Sequence, residues 1–242
     1  MGESASVRQS AEPREAEPCA IASGSMTESS SAGRAIFLNG GSSSGKSTIG
    51  RVLQSTLDGV WLLIGIDVLI WLLPVELTEG PSGFWVVDGE IRRGPVFRKV
   101  YGGFPHSVAA LCQAGMNVVI DDVLVDGRND QGQWEISLAG IDTLWIGVRC
   151  VREVARARES ERRDRPNGIA ERYCECVHHG GHYDVEVDTS AATVEDTLGI
   201  VTRTLLERWS GAPRVRERGP DALPPRSALS PDSSRSLAPW ER

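Results

Sequence analysis

A chain of 242 residues, 40% hydrophobic and 24% charged, can bury one substantial core and reads as one folded domain, or two at most. Its formal net charge of −7 argues against a nucleic-acid binder, because proteins that live on phosphate backbones carry a basic stripe. Five cysteines without regular spacing make no disulfide framework in a chain of this size and point to a reducing, cytoplasmic setting.

The ends differ in composition from the middle. Residues 1–33 are Ser, Ala, Glu and Gly with almost no large apolar side chains. They lack the basic-then-apolar layout of a secretory signal and read as a disordered extension. Met26 within it is an alternative start of translation to Met1. Residues 211–242 hold six of the 13 prolines among Ser and Arg, and read as a disordered tail, with a docking segment for a partner as the alternative. Residues 34–210 form the expected domain.

Within it, apolar runs and helical patterns alternate. The first strand candidate, residues 35–39, runs into Gly40-Gly41-Ser42-Ser43-Ser44-Gly45-Lys46-Ser47, which fits the phosphate-binding pattern G-x-x-x-x-G-K-[ST] without a mismatch. Gly and Ser suit a loop whose backbone curls around phosphate oxygens and aims its N–H groups inward, while the helix that follows, residues 46–57 with Thr48 in its first turn, presents its positive end. Lys46 is expected to reach the β- and γ-phosphates of ATP, and the Ser47 hydroxyl to ligate Mg²⁺.

A second strand candidate, residues 61–66, leads to Asp67 and a short helix over 68–73. The apolar stretch 60–75 is interrupted by Gly65, Asp67 and Pro74, so it reads as buried strand and helix and not as a membrane span. Asp67 is either a plain helix N-cap or a general base that accepts the proton of an attacking hydroxyl. Residues 80–94 read as a loop region, in which Trp85 is placed to line a pocket. A helix over 96–114 and a strand over 117–123 follow. This strand ends in Asp121-Asp122, where one carboxylate is expected to hold Mg²⁺, directly or through water. Asp121 is the first choice and Asp122, which points the other way along an extended chain, the alternative.

Beyond a short helix over 130–138, a strand over 143–150 leads to a helix over 151–163 that is rich in Arg and free of Lys. Such a charge run is an ordinary solvated helix face or a lid that closes over the phosphates. The break at Pro166-Asn167-Gly168 and the bidentate reach of guanidinium favour the lid. Arg158 is then a nucleotide ligand, and Arg162 and Arg165 stabilise charge during transfer. The last elements are a helix over 170–178, a strand over 183–188 and a helix over 194–209. Cys174, Cys176, His178, His179 and His182 offer soft ligands, but the helical pattern around them disfavours a zinc site. Near-continuous apolar strands separated by helices predict a doubly wound α/β fold with a five-stranded, mostly parallel sheet, whose ligands collect at the carboxyl ends of the strands.

The run from Ile36 to Ser47, the segment Gly65-Ile66-Asp67-Val68-Leu69-Ile70, Gly94-Pro95-Val96-Phe97-Arg98, Ile120-Asp121-Asp122-Val123, Trp145-Ile146-Gly147-Val148-Arg149-Cys150, Arg158-Glu159 with Arg162, Asp164 and Arg165, and residues 183–189 in combination resemble the chloramphenicol 3-O-phosphotransferase family over about residues 34–205. The resemblance implies a P-loop small-molecule kinase that moves the γ-phosphate of ATP to a primary alcohol, with Asp67 as base, and so inactivates the antibiotic. The sequence departs from the family pattern at Trp71-Leu72-Leu73, at residues 79–93 and at Leu124-Val125-Asp126-Gly127, where acceptor choice is made. A kinase for another hydroxylated metabolite or antibiotic keeps the same machinery, and a non-catalytic ATP-binding regulator is a third reading. The guanine-reading N-K-x-D of a GTP switch is absent from the sequence. The expected partner is a small-molecule alcohol, with neither nucleic acid nor membrane, and a homo-oligomer is left open.

Overall fold

In the computed structural model the described residues are 31–78, 80–162 and 168–209. In chain order the elements are β1 (Ala35–Asn39), α1 (Lys46–Thr56), β2 (Trp61–Gly65), α2 (Ile66–Trp71), β3 (Phe84–Val87), β4 (Glu90–Arg93), α3 (Pro95–Gln113), β5 (Asn117–Asp122), α4 (Arg128–Ser137), β6 (Thr143–Arg149), α5 (Arg152–Ser160), α6 (Ile169–Tyr173), β7 (Val185–Asp188) and α7 (Val194–Arg208). Five strands form one sheet in the order β2-β5-β1-β6-β7, and every neighbouring pair is parallel. This is the doubly wound α/β fold expected from the alternating pattern.

Period-two alternation distributes the strand side chains between two cores. Phe37, Val118 and Ile120 face α3 and α4, where Phe97, Phe104 and Trp134 pack. Ile36, Leu38 and Val119 face α1 and α7, where Ile49, Leu53, Val201 and Leu205 pack. β1 is buried along its whole length, so it carries the first loop out of the middle of the sheet with no freedom of position. α7 is started by a capping box: the Thr193 hydroxyl accepts from the Asp196 amide at 3.1 Å, and the Asp196 carboxylate accepts from the Thr193 amide at 3.3 Å.

Two segments differ from expectation. Residues 84–93, expected as loop, form an antiparallel hairpin of β3 and β4. Its turn is Asp88-Gly89, both in the left-handed region at φ 49° and 72°, the conformation that joins two strands most tightly. Four-residue strands, one of them Glu-Ile-Arg-Arg, carry too little alternation to be recognised. The helix expected over 170–178 stops at Tyr173 and resumes only as a single 3₁₀ turn at Cys176–His178. There His178 is drawn into the interior against Tyr183, which a continuous helix would not allow.

Trp134 is fully buried between Phe37 and Phe104 and donates its indole N–H to Asp122 at 3.0 Å. Trp134→Ala should therefore lower the unfolding free energy by about 3–5 kcal/mol in urea titration, without changing the secondary structure seen by circular dichroism in native buffer.

Candidate active site

The loop between β1 and α1 is shaped by what packs outside it. A Cβ added to Gly40 would lie 2.4 Å from the Val148 carbonyl oxygen, and one on Gly41 would lie 2.8 Å from the Tyr173 carbonyl oxygen. Neither position admits a side chain. Ser43 and Gly45 take left-handed φ of 59° and 95°, which folds the loop back on itself. The hydroxyls of Ser42, Ser43 and Ser44 are buried without a hydrogen-bond partner. The Lys46 ammonium, almost fully buried, donates to the carbonyls of Gly40 and Gly41 at 2.8 Å each. Unsatisfied buried hydroxyls and a buried cation resting on carbonyls are what an anion in the loop would satisfy, so the residues present fit a phosphate group.

Opposite the loop stands Asp121. Its carboxylate accepts from the Ser47 hydroxyl at 2.6 Å and lies 3.9 Å from the Lys46 ammonium. The alternation of β5 explains this: Asp121 follows Val119 onto the α1 side, while Asp122 follows Val118 and Ile120 onto the other. Asp122 is fully buried and accepts from the hydroxyl of Tyr101 at 2.9 Å, from the Trp134 indole and from the amide of Val123. Burial pushes its carboxyl up to about 6. Asp122 thus holds α3, α4 and the strand end together. A hydroxyl and a carboxylate oxygen side by side are hard ligands of the kind Mg²⁺ takes.

Asp67 lies in the first turn of α2, exposed, two residues past Gly65, where β2 meets β5 so closely that a Cβ would sit 2.4 Å from the Asp121 carbonyl oxygen. The fold therefore gathers Lys46, Ser47, Asp121 and Asp67 at adjoining strand ends. Thr48 follows in α1, partly buried. Arg158, in α5, reaches Thr189, donating to its carbonyl at 2.6 Å and its hydroxyl at 3.1 Å. The Thr189 hydroxyl in turn donates to the Ser44 carbonyl at 2.7 Å, so Arg158 is anchored on the back of the loop. Arg162 follows the end of α5 and is half-buried, its amide bonded to the Glu159 carbonyl at 2.9 Å. Arg165 lies outside the described residues.

Several residues that shape the site were not singled out from the sequence. Asn39, buried at the end of β1, donates to the Val177 carbonyl at 2.9 Å and to the Tyr183 hydroxyl at 2.7 Å, and accepts from the Leu124 amide at 3.1 Å. One side chain thereby joins the start of the loop to the segments after β5 and α6. Glu159, buried in the Arg-rich helix, accepts from the amides of Gly168 and Ala170. Arg93 makes a forked pair with buried Asp130 at 3.1 Å and lies over the Tyr101 ring. No local pattern announces these contacts. Only the carboxylate inside an arginine run, at Glu159, hints at one.

A cavity of about 430 Å³ is lined by Arg92, Arg93, Arg98, Tyr101, Asp126 and Asp130 among others. None of the expected site residues lines it, and neither does Trp85, which lies in β3. Among the described residues no group of three or more His, Cys, Asp or Glu is placed to hold a metal ion. No helix among them is long and apolar enough to cross a membrane.

His178 accepts or donates at Nδ1 to the Tyr183 hydroxyl at 2.8 Å, while its Nε2 is buried without a partner. Burial pulls its pKa down to about 4. The unfolded chain takes up this proton near pH 6.5 and the folded one only near 4, so the stability His178 contributes is complete above the higher value and is lost as pH falls through this window. Urea midpoints should accordingly drop more steeply between about pH 6.5 and 4 in the wild type than in His178→Gln.

Known proteins share the sequence pattern and the fold. Two Mycobacterium tuberculosis proteins, provisionally named O-phosphotransferases, are 28% identical to this chain over 209 residues, covering 77% of it and 89% of their own length. Among solved structures, a sugar kinase from Janibacter superposes with a TM-score of 0.53 at 15% identity, over 72% of this chain and 94% of its own. A gluconokinase from Sinorhizobium meliloti gives 0.52 at 17%, over 75% and 95%. An APS kinase from Mycobacterium tuberculosis, solved with AMPPNP and APS, gives 0.51 at 15%, over 72% and 98%. At these identities the structures show a shared kinase fold. The model of one family matches residues 33–205, almost the whole described domain, and by that match the chain belongs to the chloramphenicol phosphotransferase-like proteins, a family of phosphotransferases.

Proposed function

We propose that the chain moves the γ-phosphate of ATP, bound with Mg²⁺, to an alcohol group of a small molecule, with the 3-hydroxyl of chloramphenicol or a related compound as acceptor and inactivation of the antibiotic as the outcome. The observation that carries this reading is the junction of Lys46, Ser47 and Asp121 in one bonded group, with Asp67 exposed at the neighbouring strand end. A loop built for phosphate beside a solvent-reachable carboxylate supports transfer to a second molecule.

In this mechanism the loop amides and the hydroxyls of Ser42, Ser43 and Ser44 hold the phosphates. Lys46 exchanges its two carbonyl partners for phosphate oxygens, which places its charge where the transferred group becomes more anionic. Ser47 and Asp121 would hold the metal, which when bound neutralises phosphate charge. Asp67 orients the acceptor alcohol and takes its proton. The new bond joins the alcohol oxygen to phosphorus, the bond between that phosphorus and the bridging oxygen breaks, and ADP leaves with the electron pair. Arg162 and Arg165 close over the phosphates and keep water out, which limits wasteful hydrolysis, while Arg158, held on Thr189, steadies the loop from behind instead of serving as the nucleotide ligand expected from the sequence.

Trp71 lies one turn beyond Asp67 on the same face of α2 and is 72% exposed. A tryptophan this open beside a base offers a flat surface for the ring of an acceptor. A second reading, a kinase for a more polar metabolite, draws support from the charged cavity, which Arg92, Arg93 and Arg98 line.

ADP release from ATP and Mg²⁺ should rise on addition of chloramphenicol, with one phosphate added to the drug by mass analysis. An untouched drug would shift the reading to the second acceptor class. Asp67→Asn should keep nucleotide binding and lose about 10²-fold or more in transfer. Unchanged turnover would remove Asp67 from its role. Trp71→Ala should raise the acceptor KM by up to about tenfold with the KM for ATP unmoved.

A further inference from the structure

Tyr173, the last residue of α6, touches the two parts of the molecule that a kinase must keep in step. Its carbonyl oxygen is where a Cβ on Gly41 would collide, at 2.8 Å, so the backbone of α6 lies directly on the phosphate loop. Its hydroxyl, at the other end of a ring that is only 5% exposed, accepts from the amide of Ile91 in β4 at 3.0 Å. β4 is one wall of the charged cavity.

The rest of α6 is fixed as firmly. Glu159 accepts from the amides of Gly168 and Ala170 at 2.7 and 2.8 Å, and so joins α6 to the arginine helix α5. The tip of the hairpin rests on the start of α6, where a Cβ on Gly89 would lie 2.5 Å from the Gly168 carbonyl oxygen. Arg172 lies 3.3 Å from Glu90 of β4, and Ile169 and Tyr173 share an apolar cluster with Val86 and Ile91 of the two hairpin strands. At its far end the hairpin is held by Arg93 on Asp130.

We infer that Tyr173 is a positioning residue that couples nucleotide occupancy of the phosphate loop to the β3–β4 hairpin, so that filling the loop orders the wall of the charged cavity. The inference rests on the proposed function only for the nucleotide in the loop. Its physical basis is that Gly41 cannot move outward without pushing the Tyr173 carbonyl, and that the hydroxyl of the same buried residue accepts from the Ile91 amide. A ligand that fixes the loop therefore removes freedom from the hairpin, and by linkage an acceptor that fixes the hairpin tightens the loop on its nucleotide. This coupling gives the chain a way to hold back hydrolysis until an acceptor is seated.

The test is amide hydrogen exchange of residues 84–93 with and without ADP, in wild type and Tyr173→Phe, with ADP affinity measured on the same samples. Phe keeps the ring in its packing and removes only the hydroxyl. The expected result is that ADP slows exchange of the hairpin by at least about fivefold in the wild type. In Tyr173→Phe, ADP binds comparably and the slowing is lost. Bound ADP with no slowing in the wild type, or equal slowing in both proteins, would overturn the coupling. Should Tyr173→Phe fail to fold, Tyr173→Leu, which also lacks the hydroxyl, takes its place with the same expected and overturning results. Absence of ADP binding in the wild type would overturn the nucleotide reading of the loop, and the coupling with it.

Discussion

A loop that wraps an anion has to bring its backbone inward, and the rest of the chain must then close against its outer face. Here that face is glycine, and the neighbours are backbone: Val148 behind Gly40, and Tyr173 with Cys174 behind Gly41. Because carbonyls and Cα atoms lie where side chains would otherwise be, the loop cannot relax outward. It is held at its start by Asn39 and at its far turn by Thr189. The unpartnered serine hydroxyls are the counterpart of that rigidity. Buried polar groups left open cost free energy in the empty loop, and an anion that satisfies them gains from the arrangement.

β5 contributes a second constraint. Two consecutive carboxylates leave the strand on opposite faces and do different work. Asp121 faces Ser47 and Lys46, half open to the site. Asp122 faces the core, where burial raises its pKa and the Tyr101 hydroxyl and Trp134 indole offset part of the cost of enclosing it. The buried member fixes α3 and α4 relative to the strand end that carries Asp121. One network, running from Asp122 through Tyr101 to Arg93 and Asp130, then carries that fixity to the base of the hairpin. The acidic pair thus sends one carboxylate into the core and one to the phosphate-loop pattern, separated by the pleat of a single strand.

Family membership and fold account for phosphoryl transfer chemistry in general terms, and the proposed acceptor reading rests on the parts around them. α2 carries an apolar, exposed lip of Val68, Trp71 and Leu72 beyond Asp67, and the hairpin carries charge. The two lie on separate segments of chain, so under the proposed function apolar and polar demands on an acceptor would fall on different residues.

By itself the sequence determined the five parallel strands, most of the helices, and the cluster of Lys46, Ser47 and the Asp121-Asp122 strand end. The reason is local: buried parallel strands are continuous apolar runs, the phosphate loop is one contiguous octapeptide, and strand ends follow from strand positions. Even the opposed directions of Asp121 and Asp122 were legible, since the pleat has a period of two. Which of them met Ser47 depended on the side of the sheet to which α1 returns, and only the tertiary structure decided that. It alone also decided the hairpin, whose four-residue strands gain definition from Tyr173 and Asp130, residues 82 and 37 positions away from their partners in the hairpin. The same holds for Asn39 and Thr189. Their polar side chains are unremarkable in a linear reading, and their roles come from the backbone groups that distant segments bring within hydrogen-bonding distance once apolar burial has closed the two cores.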